Sequence, residues 1–217
     1  METKLELNEQ ERTAIVEAVR AAEAGNDGEI VPYLVAASDR YEAASWRGAV
    51  LGAVICSAAA ALVHAWAALW GLPAIWIVLP PVAGSLLGLL LVRGAPALRR
   101  RLVGEAILER EVRQRAAEAF LAEEVFRTRR RTGILLLISA FERRVVILAD
   151  SGIHGAVPAA EWEAMASEVA SAVRLHGVVA ALLPAIARCG ELLRERRPIE
   201  ASDDSNELAD GVRVGES

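Results

Sequence analysis

The sequence predicts an α/β fold, a small mixed sheet flanked by helices, interrupted by a two-helix transmembrane hairpin. Three observations predict it. From Gly48 to Val92 there is no Asp, Glu, Lys or Arg, so every charge, 24% of the chain, lies on either side of that block. Outside it, stretches of helical period alternate with short β-rich runs. The 217 residues are 54% hydrophobic with a mean hydropathy of +0.31, and a chain both this apolar and this charged has to segregate the two kinds of residue. About 170 residues remain outside the block, which suits one compact domain. The expected division is residues 1–45 and 94–198 as the two parts of the α/β domain, 46–93 as the hairpin, and 199–217 as an acidic, mostly disordered tail.

Asn8 with Glu11 reads as a capping box, after which Ile15, Ala18, Val19 and Ala22 share one helical face. That helix ends at Gly25, and Asn26, Asp27 and Gly28 make a turn. Glu29 to Ala37 is β-rich with apolar residues on both faces, as a strand covered twice would be. Pro32 removes one ladder donor and calls for an edge position or an outward-facing site. After the apolar block, Leu98 to about Arg127 reads as one long helix with Leu108, Val112, Ala116, Ala119 and Phe120 on its buried face. Ile134–Ser139 and Val145–Ala149 form a β-hairpin around the four residues Ala140, Phe141, Glu142 and Arg143. Pro158 opens a helix with Trp162, Met165, Val169 and Val173 inward, and another runs from about Gly177 to Arg196 with Pro184 inside it.

Within the apolar block, Gly48–Trp70 rises about 34 Å as a helix and Ala74–Val92 about 28 Å. Each matches a hydrocarbon core of roughly 30 Å. Only Gly71, Leu72 and Pro73 separate them, so both ends emerge on one side. Arg40 and Arg47 precede the first helix, and Arg93, Arg99, Arg100 and Arg101 follow the second, while the turn is uncharged. The positive-inside rule then places both termini in the cytoplasm, as a two-span protein of a bacterial inner membrane. Trp46 marks the cytoplasmic interface, and Trp66, Trp70 and Trp76 mark the other. Gly48 with Gly52, and Gly84 with Gly88, are small-xxx-small pairs at similar depth, suited to close approach within the hairpin or to a dimer. His64 has no acidic partner in either helix and reads as a neutral residue near headgroups. Pro80 and Pro81 kink the second helix, with local repair of its hydrogen bonds.

The residues then carry a resemblance. Gly28-Glu29-Ile30-Val31, the run Arg131-Thr132-Gly133-Ile134-Leu135-Leu136-Leu137-Ile138-Ser139 with Glu142-Arg143, the segment Ile147-Leu148-Ala149-Asp150-Ser151-Gly152-Ile153 and the tail Asn206-Glu207-Leu208 resemble the TPM domain family. In particular they resemble its bacterial membrane-protein branch, in which the hairpin interrupts the domain. The resemblance implies a TPM-like α/β sandwich in a functionally mixed family that includes photosystem II repair factors, a thylakoid lumen acid phosphatase and a receptor-modulating protein. Many members act outside the cytoplasm. The acidic, polar Met1–Arg12 here lacks the features of a cleaved signal peptide.

Asp150, at a strand end beside Ser151, Gly152 and His154, is the first candidate for chemistry. Its carboxylate could bind Ca²⁺ or Mg²⁺ through oxygen, and His154 could act as acid, base or ligand. Hard cations take about six oxygens, so Glu29, Asp39 or Glu161 would have to converge on Asp150. The plainer alternative is that Asp150 caps a turn. Arg129, Arg130 and Arg131, with Arg127, could hold phosphate or anionic headgroups, or simply complete a helix C-terminus. Cys56 and Cys189 have no CxxC neighbour and read as structural. The net charge of −5 gives no support for a nucleic-acid surface, and no GxSxG, P-loop, HExxH or GxGxxG motif is present. The expected function is a membrane-anchored binding or assembly module with a protein partner or a second copy. The alternative, implied by the resemblance, is a divalent-metal-dependent phosphohydrolase using Asp150.

Overall fold

Strand β1 (Glu29–Val35) alternates its side chains between two cores, which is why all seven residues are buried. The computed structural model describes residues 7–26, 28–67, 75–155, 157–196, 208 and 210–215. Its contacts divide it into two units, Met1–Asp39 with Glu109–Ser217, and Arg40–Leu108.

In the first unit β1 pairs in parallel with β2 (Gly133–Ser139), which pairs antiparallel with β3 (Arg144–Ala149). A short strand β4 (Arg213–Gly215) lies parallel on the other edge of β1, giving the order β3-β2-β1-β4. The sheet is therefore mixed, as expected. Ile30, Leu34, Ile134, Leu136 and Ile138 face one core, together with Ile15 and Val19 of α1 (Glu9–Glu23). Trp162 and Met165 of α7 (Ala159–His176) and Leu182 and Ile186 of α8 (Val178–Arg196) complete that layer. Val31, Tyr33, Val35, Leu135 and Leu137 face a second core covered by Val112, Ala116 and Ala119 of α5 (Glu105–Ala122). Period-two strands between helical layers thus give each face its own cover. Pro32 pairs with Leu136, and the ladder from β4 begins only at Tyr33, so the missing donor falls where β4 does not pair.

The second unit holds α2 (Glu42–Ala67), α3 (Ile75–Gly94) and α4 (Pro96–Val103). Both α2 and α3 are long and apolar enough to cross a membrane, and only 11% of the apolar window of each is buried. Gly48, Gly52, Gly84 and Gly88 bring the two backbones together: a Cβ on Gly52 would strike the Gly84 carbonyl, and one on Gly88 the Gly48 carbonyl. Of the two uses open to these glycines, close approach within the hairpin is the one seen. Pro80 and Pro81 lie inside α3, which runs through them. Arg47 donates to the Leu102 carbonyl at 2.6 Å, tying the start of α2 to α4. Trp46, Trp66 and Trp76 are exposed. Trp70 and the Gly71–Pro73 turn lie outside the described residues.

Several expectations need correction. The long helix from Leu98 is broken at Gly104, whose φ of 88° ends α4 before α5 begins. Helix α5 stops at Ala122, and a 3-10 turn, Val125–Arg127, leads into β2. A four-residue helix α6 (Ser151–His154) follows β3. The tail expected to be disordered contributes β4, because Arg213 and Asp210 reach Glu123 and Arg20 and the strand completes the edge of β1. Residues 199–207, 209, 216 and 217 of that tail, Asn206 and Glu207 among them, lie outside the described residues.

Candidate functional site

Asp150 follows β3 because its N–H closes the sheet on the Gly133 carbonyl at 2.9 Å. Its side chain then turns back to cap α6, accepting from the Ser151 N–H at 2.6 Å. The carboxylate is 5% exposed, and its second oxygen, Oδ2, receives no hydrogen bond among the described residues. Arg131 Nε lies 3.0 Å from that oxygen, close enough to compensate the charge but not aligned as a donor. The backbone of Arg131 adopts φ 58°, and its guanidinium also lies 5.7 Å over the Phe126 ring. Gly152 sits so close beneath this turn that a Cβ would strike the carbonyls of Arg130 and Arg131. Strand end, turn and helix start are therefore locked together.

The other proposed ligands are elsewhere. Glu29 and Asp150 both flank Gly133, but on β1 and after β3, two strand spacings or roughly 10 Å apart. Glu29 instead accepts from the Leu208 N–H at 3.3 Å. Asp39 lies beyond the opposite end of β1, and Glu161 is in the first turn of α7, 4.0 Å from Arg188. The parallel pairing of β1 with β2 separates these carboxylates. Among the described residues no three His, Cys, Asp or Glu side chains form a group that could hold a metal ion. Among the described residues, the group nearest the free Asp150 oxygen is the Arg131 guanidinium, where a hard cation would need further oxygens. Of the basic cluster, Arg127 pairs with Glu124 at 2.6 Å and Arg131 with Asp150, while Arg129 and Arg130 are exposed on the turn between them.

A carboxylate grouping that sequence reasoning missed lies where the tail docks. Glu23 accepts from the Ile30 N–H at 2.6 Å, Glu29 from Leu208, and Asp210 from Arg20 Nε at 2.6 Å. Burial pushes the Glu23 carboxyl up to about 8, opposed by its bond from Ile30 and reinforced by Glu29 and Asp210. No periodicity or spacing could have found it, because Asp210 is 187 residues downstream of Glu23. Cys189 is fully buried in the first core, and burial raises its thiol to about 12, so it packs as a small apolar group.

Comparison with known proteins adds two findings. Residues 102–192 match the family model of the TPM domain. The chain is also similar to the NMR structure of BA42 protein from the psychrophilic bacterium Bizionia argentinensis, at a TM-score of 0.59 and 19% identity, covering 98% of this chain and 99% of that one. At that identity the likeness speaks for the fold alone. No curated protein matches.

Proposed function

From the premise that this chain carries a TPM domain, we propose that it is a membrane-anchored binding and assembly module in a bacterial inner membrane. The α2–α3 hairpin spans the bilayer, both termini are cytoplasmic, and the α/β unit engages a protein partner or a second copy beside the inner leaflet. The observation that carries the reading is the hairpin itself: two helices without Asp, Glu, Lys or Arg between Gly48 and Val92, packed on each other through glycines, with Val54, Ile77 and Leu90 exposed outward. Such a surface costs about 25 cal/mol per Å² in water and nothing comparable in lipid. Arginines at both margins, none between, favour the cytoplasmic side for the flanks. The exposed Arg129 and Arg130 are the residues this reading sets against anionic headgroups.

The test is fractionation of cells making the full-length chain, followed by crosslinking before detergent extraction. The expected result is recovery in the membrane fraction, resistant to carbonate, with a reproducible crosslinked partner or dimer. Recovery as a soluble monomer, or a chain that crosslinks to nothing, overturns the reading.

A second reading, phosphohydrolysis at Asp150, is favoured by one observation: a buried carboxylate oxygen at a strand end that receives no hydrogen bond among the described residues. The family's functional range is an associational warrant only. Purified protein that cleaves a phosphomonoester, with activity lost in Asp150→Asn, would support it. Equal activity in the variant would end it.

A further inference from the structure

We propose that Arg143 and Arg174 form a clamp for a phosphoryl group, that of a phosphomonoester or of a phospholipid headgroup, in the cavity between the β2–β3 turn and the α7–α8 corner. This inference is independent of the proposed membrane role. It is also separate from Asp150, since the six residues of β3 put the turn roughly 20 Å from that carboxylate.

The cavity measures 250 Å³ and is lined by Ala140, Arg143, Val173, Arg174 and Val178. That is below the roughly 300–1,000 Å³ of pockets for drug-sized ligands, so a compact anion with a small organic remainder fits it. Two guanidiniums supply forked donors suited to phosphate, and the three other lining residues, Ala140, Val173 and Val178, give the remainder an apolar wall.

These two arginines share one cavity and lack a counter-charge among the described residues. Arg144, next in sequence, lies 3.8 Å from Glu109, and Arg188, within α8, pairs with Glu191 at 2.9 Å. Neither Arg143 nor Arg174 meets a carboxylate among the described residues; Arg174 donates only to Ser171 Oγ, at 2.9 Å. The carboxylate nearest in sequence, Glu142, is turned inward and buried, accepting from the Ser38 N–H at 2.8 Å and from Ser139 Oγ. Two cations therefore line one cavity of an otherwise acidic chain. The start of α8 adds to the same field, because Val178 opens that helix, its first turn has no acidic residue, and Gly177 before it has no side chain to cap the free N–H groups.

The experiment is calorimetric titration of the detergent-solubilised full-length protein at physiological salt, with inorganic phosphate in one arm and short-chain phosphatidylglycerol in the other. Wild type is compared with Arg143→Gly, Arg174→Ala and, as a control outside the cavity, Arg188→Ala. Arg143→Gly is chosen because Arg143 holds φ 55°, which glycine adopts without strain, so the variant keeps its fold. Saturable binding that weakens about tenfold or more in each cavity variant and is unchanged in Arg188→Ala supports the clamp. Binding of inorganic phosphate identifies a free phosphoryl ligand, and binding of the lipid alone identifies a headgroup. No saturable binding of either probe, cavity variants that bind like wild type, or an equal loss in Arg188→Ala overturns it.

Discussion

At Asp150 one carboxylate oxygen caps α6 while the other faces Arg131, so the residue joins two structural tasks before any chemistry is asked of it. Removing it as Asp150→Ala should cost about 1 kcal/mol for the cap, read as a lower thermal midpoint. Gly152→Ala should cost more, on the order of 1–3 kcal/mol, because its Cβ meets backbone rather than a side chain that can move. Glu23 makes a prediction in pH. Its folded value near 8 stands above the ordinary 4.5, so the carboxyl is protonated in the fold at pH values where the unfolded chain has lost its proton. Its favourable contribution is complete below about 4.5 and is lost as pH rises through about 8. Denaturation midpoints measured across that window should fall for wild type and stay flatter for Glu23→Gln.

Among the elements, the α2–α3 pair depends on four glycines that let backbone carbonyls approach. Gly52→Val should push the helices apart at a cost on the order of 1–3 kcal/mol. Cysteine pairs placed across the hairpin would then crosslink more slowly in membranes, and an unchanged rate would count against the packing. Strand β4 makes the opposite kind of test, since three residues pair with β1 while Arg213 and Asp210 hold the flanks. Truncation before Leu208 should lower stability by on the order of 2 kcal/mol, from lost ladder bonds and the loss of Leu208 and Val212 from the margins of the two cores. Protection of β1 amides from hydrogen exchange should fall in the same variant.

On the scale of the whole molecule, the proposed placement predicts that protease added outside intact cells leaves both termini uncut, and that cleavage appears only after the membrane is opened. Local features were legible from residues alone: the Asn8–Glu11 capping box, the four-residue turn of the β2–β3 hairpin and the doubly covered β1 all match the structure. So were two helices long and apolar enough to cross a membrane. Neighbouring residues decide these features, through periodicity, capping and the cost of placing charge in lipid. The Arg131–Asp150 pair, the gathering of Glu23, Glu29 and Asp210, the dispersal of the expected ligands and the docking of β4 were settled by tertiary structure alone. Each depends on strand order and on contacts between distant parts of the chain, where a carboxylate's partners are whatever the sheet brings beside it.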